Sequence, residues 1–544
     1  MKYVIQCSAN NVMKPLSPIS FLEQAALVHA QRVSIIYHNT KFLWTETLQR
    51  CLKIASALSI LGVHRGDVVA AVAPNIPALY ELHFAVPMSG GVLSALNTKL
   101  DTTMLASILK QLEAKVIFVD YEFVEVVHAA LKTLSLAQTK LPILIFIPES
   151  DQEVSCIENL HDGSLTYSSL LVMGQNDFQV VRPEDETDPI SVNYTSGSTG
   201  KPKGVIYSHR AAYLNALAAI FRFEIKKFPV FLWTVDMFRC NGWCLPWAMA
   251  ALGGTNICIR NVTTEVIFDA IDHYRITHLC GAPLILNKIA KVPTNYRRKD
   301  DYKVEAVVAG ALPPVEILSR VLELGFNIMY GYGMTEALGP VIVNKLCNAE
   351  LSMSTKSIKF TQGILEEVDV KDSLSMKSIP ADGRTIGEVM FRSNAMMSGY
   401  LGNLEKTRKA FEDGWYRTGD LGTRLPDGCI QVKDRAVDVI KYRNEIISTL
   451  EIEAVLTSHP MVLEAAVVAR PDNVNGETPC AFVKLREECD HDVNGDGIIK
   501  FCRELLPLHM VPQMVFSDDL PVNSTGKIQK FVLREKTMTM PCNI

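Results

Sequence analysis

Tyr194-Thr195-Ser196-Gly197-Ser198-Thr199-Gly200-Lys201-Pro202-Lys203-Gly204 follows a short run, Pro189-Ile190-Ser191-Val192-Asn193-Tyr194, that reads as a strand. Beyond Val205-Ile206-Tyr207-Ser208-His209 a helical pattern opens around Ala211 to Phe221. A loop this dense in Gly, Ser and Thr turns backbone N–H groups and hydroxyls toward one point. Such a concave array of donors suits phosphate oxygens. Gly197, Gly200 and Gly204 supply the φ freedom of a tight path, and Lys201 and Lys203 add positive charge at its exit. The alternative is an ordinary surface turn. The stretch is not a Walker A loop, because Thr195 stands where the first Gly belongs and Pro202 follows Lys201.

Outward from this loop the chain alternates strands and helices. Phe21 to Ala30, Thr45 to Leu61 and Ala78 to Met88 read as helices, and Val68 to Ala73 and Val116 to Asp120 as buried parallel strands. Further strands are expected at Val230 to Trp233, Asn256 to Ile259 and His278 to Cys280. That alternation implies α/β layers. The stretch 150–188 is polar and reads as an irregular connection. After about 340, turn signals such as Asp382-Gly383 and Pro426-Asp427-Gly428 predict a β-rich part. A compact α+β module is expected from about 436 to the end.

At 544 residues, two to four domains are expected. With 48% hydrophobic and 21% charged residues the chain is globular rather than disordered. Its net charge of −5, without a basic tract, points away from a nucleic-acid partner. The 13 cysteines are scattered and never spaced C-x-x-C, which reads as free thiols in a reducing compartment. No apolar run of about eighteen residues appears, so no transmembrane helix is expected. The ending Pro541-Cys542-Asn543-Ile544 is neither a prenylation signal nor a Ser-Lys-Leu-type peroxisomal signal, and a cytoplasmic location is expected. Asp490 to Asp496 opens like a calcium loop, but Phe501 holds the position where an EF-hand needs its bidentate Glu.

The phosphate loop resembles the signature of the adenylate-forming superfamily, which includes AMP-forming acyl-CoA synthetases, luciferases and peptide-synthetase adenylation domains. Four later segments resemble that family's motifs in the expected order. They are Gly331-Tyr332-Gly333-Met334-Thr335-Glu336, Tyr416-Arg417-Thr418-Gly419-Asp420, Asp434-Arg435, and Asn523-Ser524-Thr525-Gly526-Lys527. Phe84-Ala85-Val86-Pro87-Met88 and Gly476 to Phe482 are most similar to plant acyl-activating enzymes of the benzoate–CoA ligase type.

The resemblance implies a large N-terminal domain of layered α/β subdomains, residues 1–433, with its β-rich part at about 340–433. A small mobile α+β C-terminal domain, residues 434–544, would follow. It implies ATP, Mg²⁺ and coenzyme A as cofactors and a small-molecule carboxylic acid as substrate. The acid would attack the α-phosphate of ATP to give acyl-AMP and pyrophosphate, and the CoA thiol would then release AMP. Attacker and target are both anionic, so the site must supply positive charge and donors. By resemblance, Thr195 to Lys203 hold the β- and γ-phosphates, Thr335 the α-phosphate, and Glu336 the Mg²⁺. Gly310, Ala311, Gly331, Tyr332 and Gly333 border adenine. Asp420 and Arg435 take the ribose, and Lys527 reaches the α-phosphate and carboxylate. Trp243, Gly281, Ala282 and Leu338, with Gly310 and Pro283, line an acyl pocket suited to a short, branched or aromatic acid.

Three departures from the family pattern stand out. The hinge position, where relatives carry Asp or Lys, is Val437. Where relatives read Leu-Pro-Met-Phe-His-Cys-Asn-Gly-Trp, this chain has Asp236 for the proline and Arg239 for the histidine. Arg239 either pairs with Asp236 or binds the substrate carboxylate. Where relatives carry Ser-Gly-Gly-Glu-Asn against the CoA arm, this chain has Tyr442-Arg443-Asn444-Glu445-Ile446. Besides acid–CoA ligation, two readings therefore stay open. One is an adenylating enzyme with weakened or altered thioester formation, and the other a degenerate nucleotide-binding relative.

Overall fold

Short runs of Val, Ile and Ala form parallel strands here because both of their faces are covered. In Val68–Val72, Val69 and Ala71 face one hydrophobic cluster while Ala70 and Val72 face another. The computed structural model describes residues 14–136, 141–149, 165–195, 202–293, 296, 302–310, 315–346, 359–360, 363, 365–443, 445–486, 495–517, 519–522 and 528–539.

Two eight-stranded sheets form the N-terminal part. One runs Gly399–Tyr400, Lys203–Ser208, Pro189–Thr195, Val92–Ala95, Val68–Val72, Val116–Asp120, Ile143–Ile147, Leu165–Thr166. The other runs Gly339–Lys345, Phe326–Met334, Val304–Ala309, His278–Gly281, Val230–Leu232, Thr255–Ile257, Val33–Tyr37, Thr40–Leu43. Both sheets share one core with the helices Ile19–Val28, Trp44–Ile60, Pro77–Met88, His209–Arg222 and Leu245–Leu252. Pro77–Met88 is buried on every side from Ala78 onward. Its one carboxylate, Glu81, is met by Arg50 at 2.5 and 3.1 Å and by the Tyr167 hydroxyl at 2.5 Å, as a buried charge requires.

Tyr167 belongs to a stretch expected to be irregular. Instead Leu165–Thr166 is a strand and Tyr167–Met173 a helix. Thr166 and Ser169 close a capping box at the helix start, a local bond pattern that polar composition alone conceals.

The β-rich part is an antiparallel sheet of Lys359–Phe360, Ile430–Arg435, Tyr416–Arg424, Gly387–Arg392 and Glu367–Lys371. The C-terminal module pairs Val462–Asp472 with Gly476–Leu485 and adds helices Thr449–Thr457, Gly495–Leu505 and Lys530–Thr539. The chain is thus α/β with a smaller α+β C-terminal domain, as expected. Phe501 lies inside Gly495–Leu505 against the His459 ring, which removes the calcium-loop reading at its twelfth position. The eight described cysteines are free thiols. No helix of the described residues is long and apolar enough to cross a membrane.

His83, His209 and His278 are buried, and desolvation pushes each pKa from 6.5 down to about 4. A depressed native pKa contributes stability that is complete above 6.5 and lost as pH falls toward 4. The loss is at most about 1.4 kcal/mol per pH unit for each group. Urea midpoints should therefore fall steadily on acidification, and His278→Gln should flatten the slope. A midpoint that rises through this window would contradict the assignment.

Candidate active site

Three parallel strands end side by side. His278–Gly281, Val304–Ala309 and Phe326–Met334 are neighbours, with Gly281 opposite Val308 and Ala309 opposite Gly331. Ligands of α/β sheets bind beyond such carboxyl ends. Gly281, Ala282, Gly310, Gly331, Tyr332, Gly333, Thr335 and Glu336 all lie at or just past them. The Tyr330 hydroxyl donates to the Gly310 carbonyl at 2.5 Å. Gly333 has no room for a side chain, since a Cβ there would stand 2.0 Å from the Gly339 carbonyl oxygen.

The phosphate loop closes a hairpin. Pro189–Thr195 pairs antiparallel with Lys203–Ser208, Thr195 opposite Lys203. Ser196, Gly197, Ser198, Thr199, Gly200 and Lys201 lie outside the described residues, as do Ala311, Asn444 and Lys527. The hairpin belongs to one sheet and Thr335 to the end of the other. The buried Tyr207 hydroxyl joins them, donating to the Thr335 carbonyl at 2.6 Å.

Tyr400 enters beside the hairpin because Gly399–Tyr400 pairs with Ile206 and Val205. Its hydroxyl donates to Glu336 Oε1 at 2.9 Å. The Lys203 and Lys406 ammoniums stand over the same ring at 5.4 and 5.8 Å. Burial, then repulsion from Lys406, lowers the Lys203 pKa. Two cations held this close suit an anionic ligand. Glu336 is 9% exposed and makes no salt bridge among the described residues, although the Lys203 ammonium stands near enough to feel its charge. Among those residues no three His, Cys, Asp or Glu side chains cluster. One carboxylate completed by phosphate oxygens and water is a donor set that Mg²⁺ accepts.

Asp420 and Arg435 face each other across antiparallel strands. Arg435 Nε stands 3.5 Å from Asp420 Oδ1, and the Tyr332 hydroxyl donates to Oδ2 at 2.7 Å. Burial and the Asp420 carboxylate raise the Tyr332 pKa, so the phenol stays protonated and donates. Asp420 is thereby aimed at the strand ends from the β-rich sheet.

Of the acyl-pocket candidates, Gly281 and Ala282 lie at these strand ends, and Trp243 and Leu338 meet around Gly339. Trp243 packs against the Phe223 ring and beside Gly339, the neighbour of buried Leu338. Arg239 Nε binds Asp236 Oδ2 at 2.8 Å, so the pairing foreseen as one alternative is made. Cys240 Sγ lies 3.5 Å from Thr335 Oγ1, its pKa raised by burial so that it stays a thiol.

Beyond the ribose pair, Val437 is 61% exposed. Arg443 sits at φ +52°, and its guanidinium binds Asn475 Oδ1 at 2.9 Å. A bulky residue thus holds a left-handed backbone where relatives carry glycine.

Sequence reading missed Tyr207, Tyr400, Lys406 and Cys240. Tyr207 was within reach, since it lies on the strand leaving the phosphate loop. Tyr400 and Lys406 carry no local signal, because strand pairing across nearly two hundred residues brings them in.

Two layered sheets with a small C-terminal sheet are the architecture of the adenylate-forming enzymes. The chain belongs to the AMP-binding enzyme family, matched over residues 22–401, with the AMP-binding enzyme C-terminal domain matched over residues 451–527. It is 41% identical to 2-methylpropanoate–CoA ligase of Humulus lupulus, covering 97% of this chain and 96% of the relative. It is 42% identical to butyrate–CoA ligase of Arabidopsis thaliana, named peroxisomal, covering 98% and 95%. Among solved structures, an anthranilate CoA ligase with anthranoyl-AMP superposes with a TM-score of 0.83 at 22% identity, covering 98% of this chain and 99% of that one.

Proposed function

We propose that this AMP-forming carboxylic acid–CoA ligase activates a short, branched or aromatic acid as its acyl-adenylate. The observation that carries the acid class is the Trp243 wall, set beside Gly339 and Leu338 and backed by Phe223. The likeness to relatives named for 2-methylpropanoate and butyrate supports it. Thr195 to Lys203 receive the β- and γ-phosphates, with Lys406 adding charge. Thr335 meets the α-phosphate, and Asp420 and Arg435 the ribose. Gly310, Ala311, Gly331, Tyr332 and Gly333 border adenine. Arg239 is held by Asp236, the alternative in which it leaves the pocket rather than binding the acid's carboxylate. Bound at Glu336, Mg²⁺ would neutralise triphosphate charge. Lys527 completes the first half-reaction.

We divide the chain at 433/434 and place the pivot at Val437, whose exposure suits a moving joint. We place the protein in the cytosol, where free thiols persist. A fluorescent fusion scored against a peroxisomal marker tests that.

The test of function is pyrophosphate and AMP release with Mg-ATP and a panel of short, branched and aromatic acids, with and without CoA. CoA-dependent AMP and a thioester product are expected. Pyrophosphate without CoA stimulation would favour the second reading, an adenylating enzyme impaired in its CoA step. The bulky left-handed Arg443 is the observation behind that reading.

Arg443→Gly separates the two. Glycine relieves the left-handed strain but adds unfolded-state entropy, so stability should rise by about 0.5–1 kcal/mol. The KM for CoA should fall several-fold with adenylation unchanged. An unchanged KM would show that position 443 does not limit CoA approach.

A further inference from the structure

The turn Cys240–Cys244 is wound left-handed throughout, with φ of +49°, +43°, +55°, +58° and +62°. Only Gly242 adopts that backbone without a Cβ clash. Such a conformation persists only where its surroundings over-determine it, and it clusters at functional sites. Here the restraint comes from two buried side chains of one strand, chiefly Asn193. Asn193 Oδ1 accepts the Asn241 N–H at 2.8 Å, and Asn193 Nδ2 donates to Asn241 Oδ1 at 2.5 Å. The Ser191 hydroxyl donates to the same Asn241 oxygen at 2.6 Å. Ser191, Asn193 and Asn241 are 0, 1 and 1% exposed. Asn241 Nδ2 finds no partner among the described residues, so its amide holds the turn through Asn193 and Ser191.

The placement of this clamp matters more than its strength. Asn193 lies two residues before Thr195, on the strand that enters the phosphate loop. The turn it holds presents Cys240 to Thr335 at 3.5 Å and carries Trp243 into the acyl wall. One buried amide thus joins the strand leading to the phosphates, the residue facing the α-phosphate and the wall facing the acid.

We propose that Asn193 is a positioning residue that holds the acid pocket in register with the phosphate strand, and so sets acid selectivity without touching either substrate. This rests on the ligase reading, because Trp243 and Thr335 serve an acid only there. Hydrogen bonds shielded from water hold geometry more firmly than exposed ones. Loosening this pair should let the turn relax toward ordinary backbone.

The test uses the full chain with Asn193→Ala and Asn241→Gly. Glycine keeps positive φ without strain, so the second variant removes the side-chain bonds while sparing the backbone. Amide hydrogen exchange over residues 239–244 should quicken at least ~10-fold in Asn193→Ala. In both variants the KM for the best acid should rise about 10-fold and discrimination between linear and branched acids should shrink, while ATP binding without acid changes less than ~3-fold. If Asn193→Ala fails to fold, Ser191→Ala removes one bond of the set and should move both readouts the same way by less. Unchanged exchange overturns the clamp. Quickened exchange with unaltered acid KM and selectivity overturns the positioning role, since a merely structural residue would behave so. A wild-type enzyme inert toward every acid would sink the ligase reading instead, and the exchange comparison would still decide the clamp.

Discussion

Glu336→Gln should lower acid-dependent pyrophosphate release by about 10²–10³-fold, the usual cost of deleting one preorganised electrostatic group. The carboxylate is buried, and the Tyr400 hydroxyl is its neutral donor. A negative charge kept out of water with no direct salt bridge among the described residues, offset only by the field of Lys203, is destabilising unless it serves a ligand. Gln keeps an acceptor for Tyr400 and removes the charge, so the melting temperature should hold or rise while adenylation collapses. This divergence separates function from folding, because a structural glutamate would lose both. Conversion of supplied acyl-AMP to thioester involves no triphosphate and should be far less affected. Near-normal pyrophosphate release from the variant would remove Glu336 from the metal role.

Asp420→Ala should raise the KM for ATP at least ~10²-fold, since hydrogen bonds to a charged acceptor contribute about 1.5–3 kcal/mol each. The geometry favours two such bonds to a ligand. Tyr332 approaches Oδ2 and Arg435 approaches Oδ1, and a carboxylate oxygen can accept more than one hydrogen bond. Deoxy nucleotides sharpen the test. Wild-type enzyme should discriminate against both 2′-deoxy- and 3′-deoxy-ATP, and the alanine variant should lose that discrimination. A full penalty surviving in the variant would mean the ribose is read elsewhere, as the double-mutant-cycle logic requires.

Much of this architecture is legible in the order of residues alone. Alternation between strand and helix patterns implies α/β layers, and the turn signals after about 340 mark a β-rich part that forms as expected. The small residues of the second nucleotide motif, Gly331 and Gly333, lie where parallel strands end. Other parts are not legible. The helix Tyr167–Met173 escapes a reading by pattern because a capping box, not hydrophobic period, starts it. Arg239 could not be assigned, since Asp236 within one turn was an available partner but not an obligatory one. The tie between Tyr207 and Thr335 spans 128 positions and leaves no trace in either local pattern.

What the chain's sequence determined by itself was chemistry that is local. A Gly/Ser/Thr loop must present donors, a buried Val/Ile run must be covered on both faces, and ordered motifs must keep their order. The tertiary structure alone decided which donors converge. Strand pairing brings Tyr400 beside Lys203, packing of the β-rich sheet sets Asp420 against Tyr332, and packing of the Cys240–Cys244 turn seats Asn241 on Asn193. Those meetings depend on register and closure between segments far apart in the chain, and the energy that selects them comes from burying whole faces rather than from any single motif.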